Sequence, residues 1–344
     1  MILLDAHETV RVCTPAIDAF VQGTEADLGA LYELVGATSA DAFAFTNSGA
    51  EAVQQVHWTA FVERARKEGQ CHFITSPLED APTLQSLQRL EQLGCFVKIA
   101  PVDAAGRIDV AKLSELISPR TAMISISLAP ALTGVLQPIE EMAALARAHN
   151  VWLHVDASYA LGKVLNPFAH ADFLTFSGAQ IHAVPSTGGV FARKPFLPLV
   201  LARPNDLHSL KSLSIAATHA LLNLDTMSLE IARLRDRLEQ AFGNVLFQNV
   251  LRLPNVCTLL FPRVHQEMLY HSLRRKNVHT SIGGSYVPHL HRQLMANGLD
   301  EQTARTAISF SLSRFTNEAD IDRAIDVIRN TVESLLPLTE ELFA

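Results

Sequence analysis

The stretch Asp172–Lys194, DFLTFSGAQIHAVPSTGGVFARK, reads as a buried strand (FLTFS), a polar turn and a second strand led by two glycines (TGGVFAR). The link between them, GAQIHAVPS, is too short for a right-handed crossover helix, so TGGVFAR is expected to run antiparallel to its sheet neighbour. Upstream, short apolar runs alternate with helical stretches: CHFIT, then APTLQSLQRLEQLG, CFVKIA, a helix from Asp109 to Ile117, and TAMISIS. Such alternation predicts βα units around a mostly parallel sheet, an α/β fold. Pro138 opens a further helix that Asn150 can close, and VWLHVDA follows as an apolar strand ending in a carboxylate.

After Pro204 the periodicity changes. A long helical region to about Gly243 is followed by strand-like NVCTLLF, the helix MLYHSLRRKN, a glycine turn and a closing helix after Thr316-Asn-Glu318. The expected organisation is a large α/β domain over residues 1–203 and a smaller α+β domain over 204–344, packed together because the Pro/Gly linkers are short.

With 344 residues, 48% of them hydrophobic and 18% charged, the chain can bury a sizeable core. The formal charge of −7 is spread along it, and the longest basic run, Arg274-Arg-Lys276, is too short for a phosphate-neutralising surface, so no nucleic-acid or membrane partner is expected. Asp5 and His7 interrupt the apolar start Met1-Ile-Leu-Leu4, which argues against a signal segment and for a cytoplasmic protein. The four cysteines form no C-x-x-C pair, and Cys95 and Cys257 sit in apolar runs as packing residues. The pair in Pro288-His-Leu-His291 lacks neighbouring ligands, so no metal is expected.

Four places carry candidate chemistry. In Phe45-Thr-Asn-Ser-Gly-Ala-Glu-Ala52 a small-residue turn enters a helix, where free N–H groups, with Ser48 and Thr46, make an anion site. The same residues also suit an ordinary N-cap by Asn47 or Ser48. Asp156 either caps a local turn or faces a cleft and pairs with a protonated ring nitrogen. His154 is expected on the face opposite Asp156, as a satisfied core histidine. The opening stretch and Ser281-Ile-Gly-Gly-Ser-Tyr286 with Ala307–Thr316 are loops that offer no nucleophile beside a base.

In chain order these places resemble the class V aminotransferase and cysteine desulfurase family, fold type I enzymes that use pyridoxal phosphate. The similarity runs through FTNSGAEA, TSPLEDAPTLQSLQRLEQLG, IDVAKLSELISPRTAMISIS, TGVLQPIEEMA, LHVDASYALGK, DFLTFSGAQIHA, GGVFARK and GLDEQTARTAISFSLSRFTNEADID. It implies the fold type I architecture, with a mostly parallel sheet and a smaller C-terminal α+β domain. It also implies cofactor-binding roles for Asp156 (ring nitrogen), the turn Ser48, Gly49 and Ala50 (phosphate) and Ser177 (phosphate). Lys211 and Ser214 fall near residues that a partner subunit usually offers.

The reactive positions of the family fall on other residue types. The Schiff-base lysine corresponds to Gln180, after Ala179, and an amide has no nucleophilic amine. The ring-stacking histidine corresponds to Asp80, the paired asparagines to Pro130 and Ala131, the glutamine touching the ring oxygen to Tyr159, the mobile cysteine to about Tyr286, and the carboxylate-clamping arginine to Ser309. The segment between Asp5 and Phe45 is shorter than the family norm.

The resemblance thus implies a desulfurase-like protein that acts by binding, with no covalently bound cofactor, while pyridoxal or pyridoxamine phosphate is possible without a bond. A homodimer, or a heterodimer with a catalytic paralogue, is expected, with a sulfur carrier or iron–sulfur assembly protein as further partner. The alternative is an active pyridoxal or pyridoxamine phosphate enzyme with altered chemistry, for which His182 lies two residues beyond Gln180. Lys163 resembles a structural position. A third reading is an unrelated small-molecule binder in the vacated cleft.

Overall fold

The computed structural model describes residues 1–22, 26–194 and 206–339. Its main sheet has seven strands in the order Ala42–Thr46, Gly188–Ala192, Phe173–Ser177, Trp152–Asp156, Thr121–Ser127, His72–Thr75 and Phe96–Ile99. Neighbours are parallel except at Gly188–Ala192, which is antiparallel to both strands beside it, as the short link after Ser177 requires. Thr121–Ser127 is buried at every position, because a central parallel strand has neighbours on both edges and helices on both faces.

One geometric consequence sets the site. Six strands end at the same edge, at Thr46, Thr75, Ile99, Ser127, Asp156 and Ser177, and the antiparallel strand begins there. Ligands of open α/β sheets collect at that edge. Gly188 lets the first turn close onto it, since a Cβ there would stand 2.5 Å from the Ser48 carbonyl carbon. Phe168, Phe176 and Phe191 are fully buried behind the edge, with Phe43 stacked on Phe176 at 6.5 Å between centroids.

The C-terminal part holds a three-stranded antiparallel sheet, Ala307–Ser311, Val256–Leu260 and Val245–Leu246. Helices Leu224–Phe242, Gln266–Arg275 and Glu318–Thr339 contribute to its separate apolar core. The helical region before Gly243 is two helices, Leu207–Leu222 and Leu224–Phe242. Ile2–Leu3 pairs in parallel with Val278–His279, so the chain starts on the C-terminal sheet side and then crosses to the main sheet edge. The domain boundary expected at 203/204 lies outside the described residues. No described helix is long and apolar enough to cross a membrane.

Candidate functional site

At the sheet edge lies a cleft of about 580 Å³. Its lining includes Ser48, Gly49 and Ala50 from the first turn, Asp156, Ser158 and Tyr159 after the strand VWLHVDA, Ser177 and Gln180, Asp80, and Tyr286. Four of the sequence stretches singled out above therefore meet in one place. Among the described residues, no lysine or arginine lines it.

At the first turn the N-cap reading holds, and Thr46 is corrected as an anion donor: it is buried and its hydroxyl donates to the Ser48 carbonyl at 2.8 Å. Ser48 is the N-cap of helix Gly49–Ala60, its hydroxyl oxygen accepting the Glu51 N–H at 3.1 Å. Glu51 reaches back past the cap to accept the Asn47 N–H at 2.9 Å. The N–H groups of Gly49 and Ala50, the first two of the helix, have no acceptor inside it and carry its positive end.

The opposite wall is acidic. Tyr159 donates its hydroxyl to the Asp80 carboxylate at 2.5 Å, and burial pushes both groups well up from their usual ranges. Beside Asp80, Glu79 accepts the Ser127 N–H (2.7 Å), the Ser127 hydroxyl (2.8 Å) and the Ser76 hydroxyl (2.6 Å). Desolvation nonetheless raises its carboxyl to about 7. Glu8, bonded by the Ser281 hydroxyl, is also raised by burial.

Asp156 is held from two sides. Its carboxylate accepts the Ser158 N–H at 2.9 Å and the Ser158 hydroxyl at 2.6 Å. Burial raises it, while these bonds and one from Thr175 oppose the rise. Behind Thr175 runs a buried file of polar groups: His154 Nε2 to Thr175 (2.9 Å), Ser125 to His154 Nδ1 (2.8 Å), and His57 Nε2 to Ser125 (2.7 Å). Since the carboxylate accepts from Thr175, each donor in the file points toward Asp156, and His57 Nδ1 is left as a buried acceptor without a partner. Both imidazoles are neutral, His57 being pushed down to about 3 by burial. His154 is a satisfied core histidine, but it lies on the same side as Asp156, correcting the expectation of opposite faces. Residues two apart in a strand share a face.

Gln180 faces a different partner. Its side-chain amide donates to the His7 carbonyl at 3.0 Å, tying the incoming N-terminal segment to the turn after Ser177. His7 packs against Tyr159 with rings tilted by 38° and centroids 4.7 Å apart, donates from Nδ1 to the Ala131 carbonyl at 2.8 Å and accepts from Asn255 at 3.1 Å. His182 turns away from the cleft, its Nδ1 on the Arg11 carbonyl at 2.8 Å, and Lys163 lines a neighbouring pocket instead. Tyr286 lines the cleft at 48% exposure, whereas Ser309 is buried with its hydroxyl on the Leu132 carbonyl at 2.7 Å. Ser214 is buried and donates to the Asp27 carbonyl. Among the described residues, no group of His, Cys, Asp and Glu is arranged to hold a metal.

The model of the aminotransferase class-V family matches residues 18–200. A cysteine desulfurase of a Nostoc species is 32% identical over 330 residues, covering 89% of this chain and 81% of the relative. The chain belongs to this family. A cysteine desulfurase of Cereibacter sphaeroides is 31% identical, covering 90% of this chain and 84% of that one. Among solved structures, DndA from Streptomyces lividans superposes with a TM-score of 0.70 at 25% identity, covering 86% of this chain and 88% of that one. A NifS-like protein reaches 0.85 at 21% identity, covering 97% and 100%, and shows the same fold. The architecture is that of the fold type I pyridoxal phosphate enzymes.

For a class-V family member the cleft can be tested against that cofactor. The open N–H groups of Gly49 and Ala50, with the hydroxyls of Ser48 and Ser177, suit a phosphate, and Asp156 suits a protonated ring nitrogen. The donor and acceptor set thus fits the two ends of the group. When bound, the group supplies an electron-withdrawing ring that stabilises carbanions. Glu8, His7 and Ser158 carry no local sequence signal, whereas the Glu79-Asp80 pair shortly after the strand CHFIT is one for Glu79.

Proposed function

We propose that this chain is a class-V family protein that binds in its cleft without forming a covalent bond there, a catalytically degenerate relative of the cysteine desulfurases. One observation carries the reading: position 180, where the resemblance puts the imine-forming lysine, is a glutamine whose amide is spent on the His7 carbonyl. No other amine lines the cleft among the described residues, and Lys163 lines the pocket behind it. Tyr159 and Asp80 bond to each other where the family places groups that touch the cofactor ring. Ser48, Gly49, Ala50, Ser177 and Asp156 are assigned to pyridoxal or pyridoxamine phosphate held without a bond.

By the same resemblance we assign a homodimer, or a heterodimer with a catalytic paralogue, with a sulfur carrier or iron–sulfur assembly protein as partner, and by the interrupted apolar start we assign the cytoplasm. A second reading, an active enzyme with altered chemistry, is favoured by the names of the Nostoc and Cereibacter relatives, both cysteine desulfurases. The test is to incubate the purified chain with pyridoxal phosphate, reduce with borohydride and map the peptides. No pyridoxyl-lysine is expected. Stoichiometric modification of one lysine would overturn the binding reading in favour of the enzyme.

A further inference from the structure

Behind the wall formed by His7 and Gln180 lies a second pocket, of about 50 Å³. It is lined from both parts of the chain, by Lys163 and His182 near the main sheet and by Ser228, Asn255 and Arg314 from the C-terminal part. Among the described residues, no Asp or Glu is in its lining. Lys163 donates to the Tyr159 carbonyl at 3.0 Å, which uses one of three ammonium protons. Burial alone pushes its amine down to about 8, with no carboxylate holding it up. The Arg314 guanidinium lies over the Phe315 ring at 5.2 Å rather than on a carboxylate. Burial first, then the fields of Arg314 and Lys163, hold His182 neutral at about 4, so the pocket's positive charge comes from those two groups.

A buried amine and a half-buried guanidinium lining one small pocket repel each other unless an anion joins them. A water needs about 10–15 Å³ of such space, so the volume matches a few waters or one small polyatomic ion. It is generous for a halide and too small for a nucleotide. We propose that this pocket is a binding site for a small tetrahedral oxyanion, of the size and charge of sulfate or hydrogen phosphate, held between the Lys163 amine and the Arg314 guanidinium with the Ser228 hydroxyl as a neutral donor. The bound ion links the two parts of the chain and backs the wall that carries Gln180. The site is separate from the cleft and stands whether or not the cleft takes a cofactor.

The experiment titrates sulfate, and in parallel inorganic phosphate, into the full chain at constant ionic strength against chloride, followed by calorimetry. Saturable one-site binding of either ion is expected, weakened about ten- to a hundredfold by Lys163→Met and by Arg314→Gln. Absence of saturable binding of both ions, or equal binding by both variants, overturns the proposal. If a variant does not fold, crystals of the natural chain soaked in selenate decide. An anomalous peak within hydrogen-bond reach of Lys163 Nζ and Arg314 supports the site, and a pocket without one overturns it.

Discussion

Among the described residues, the front cleft gathers Glu8, Asp80 and Asp156 and no lysine or arginine, whereas the pocket behind the same wall gathers Lys163 and Arg314 and no carboxylate. His7 and Gln180 stand between the two as neutral groups. The pH dependence of the two sides has opposite sign. Glu79, raised from 4.5 to about 7, contributes stability that is fully present below its unfolded value and is lost as pH rises through 7. Lys163, lowered from 10.5 to about 8, contributes stability that is present above its unfolded value and is lost as pH falls through 8. A glutamine at 180 adds no charge to either cavity, and it spends its amide on holding the wall.

The largest effect that would sharpen this contrast is on the acidic side. Glu79→Gln keeps the shape and removes a carboxyl that is ionised against burial above pH 7. The variant should gain roughly 2–3 kcal/mol over the natural chain at pH 8 and little at pH 5. Urea unfolding at both pH values measures it. An equal difference at the two would mean that Glu79 is not the group whose ionisation is penalised.

A smaller effect is expected at the wall itself. Gln180→Ala removes one hydrogen bond to the His7 carbonyl, a loss of about 0.5–1.5 kcal/mol in the same unfolding measurement. Exchange of backbone amides in the N-terminal segment near His7 should quicken with it. Unchanged stability and exchange would show that residue 180 does not anchor this segment.

Much of this was legible in the sequence. TAMISIS and VWLHVDA announce buried strands by apolar run and length, and the nine-residue link after Ser177 gave the antiparallel strand because no crossover fits it. The convergence of Ser48, Asp156 and Ser177 followed from their places at strand ends. Contacts between distant segments were not legible. Nothing local says that Tyr159 donates to Asp80, that Gln180 reaches back to His7, or that Lys163 lines the rear pocket rather than the cleft. The file from His57 to Asp156 depends on which strands are neighbours, since Thr175 and Ser125 enter it from the strands on either side of Trp152–Asp156.

Whether this chain transforms cysteine is decided most directly by supplying it and its Gln180→Lys variant with excess pyridoxal phosphate and cysteine, and measuring sulfide and alanine against an authentic desulfurase. Release at background level is expected from both proteins. The variant gains an amine but no thiol at Tyr286 and no arginine in the cleft, and Ser309 is committed to the Leu132 carbonyl. Turnover by the natural chain at a rate comparable with the desulfurase would contradict the binding role. Comparable turnover by the variant alone would show that the other replacements are not disabling.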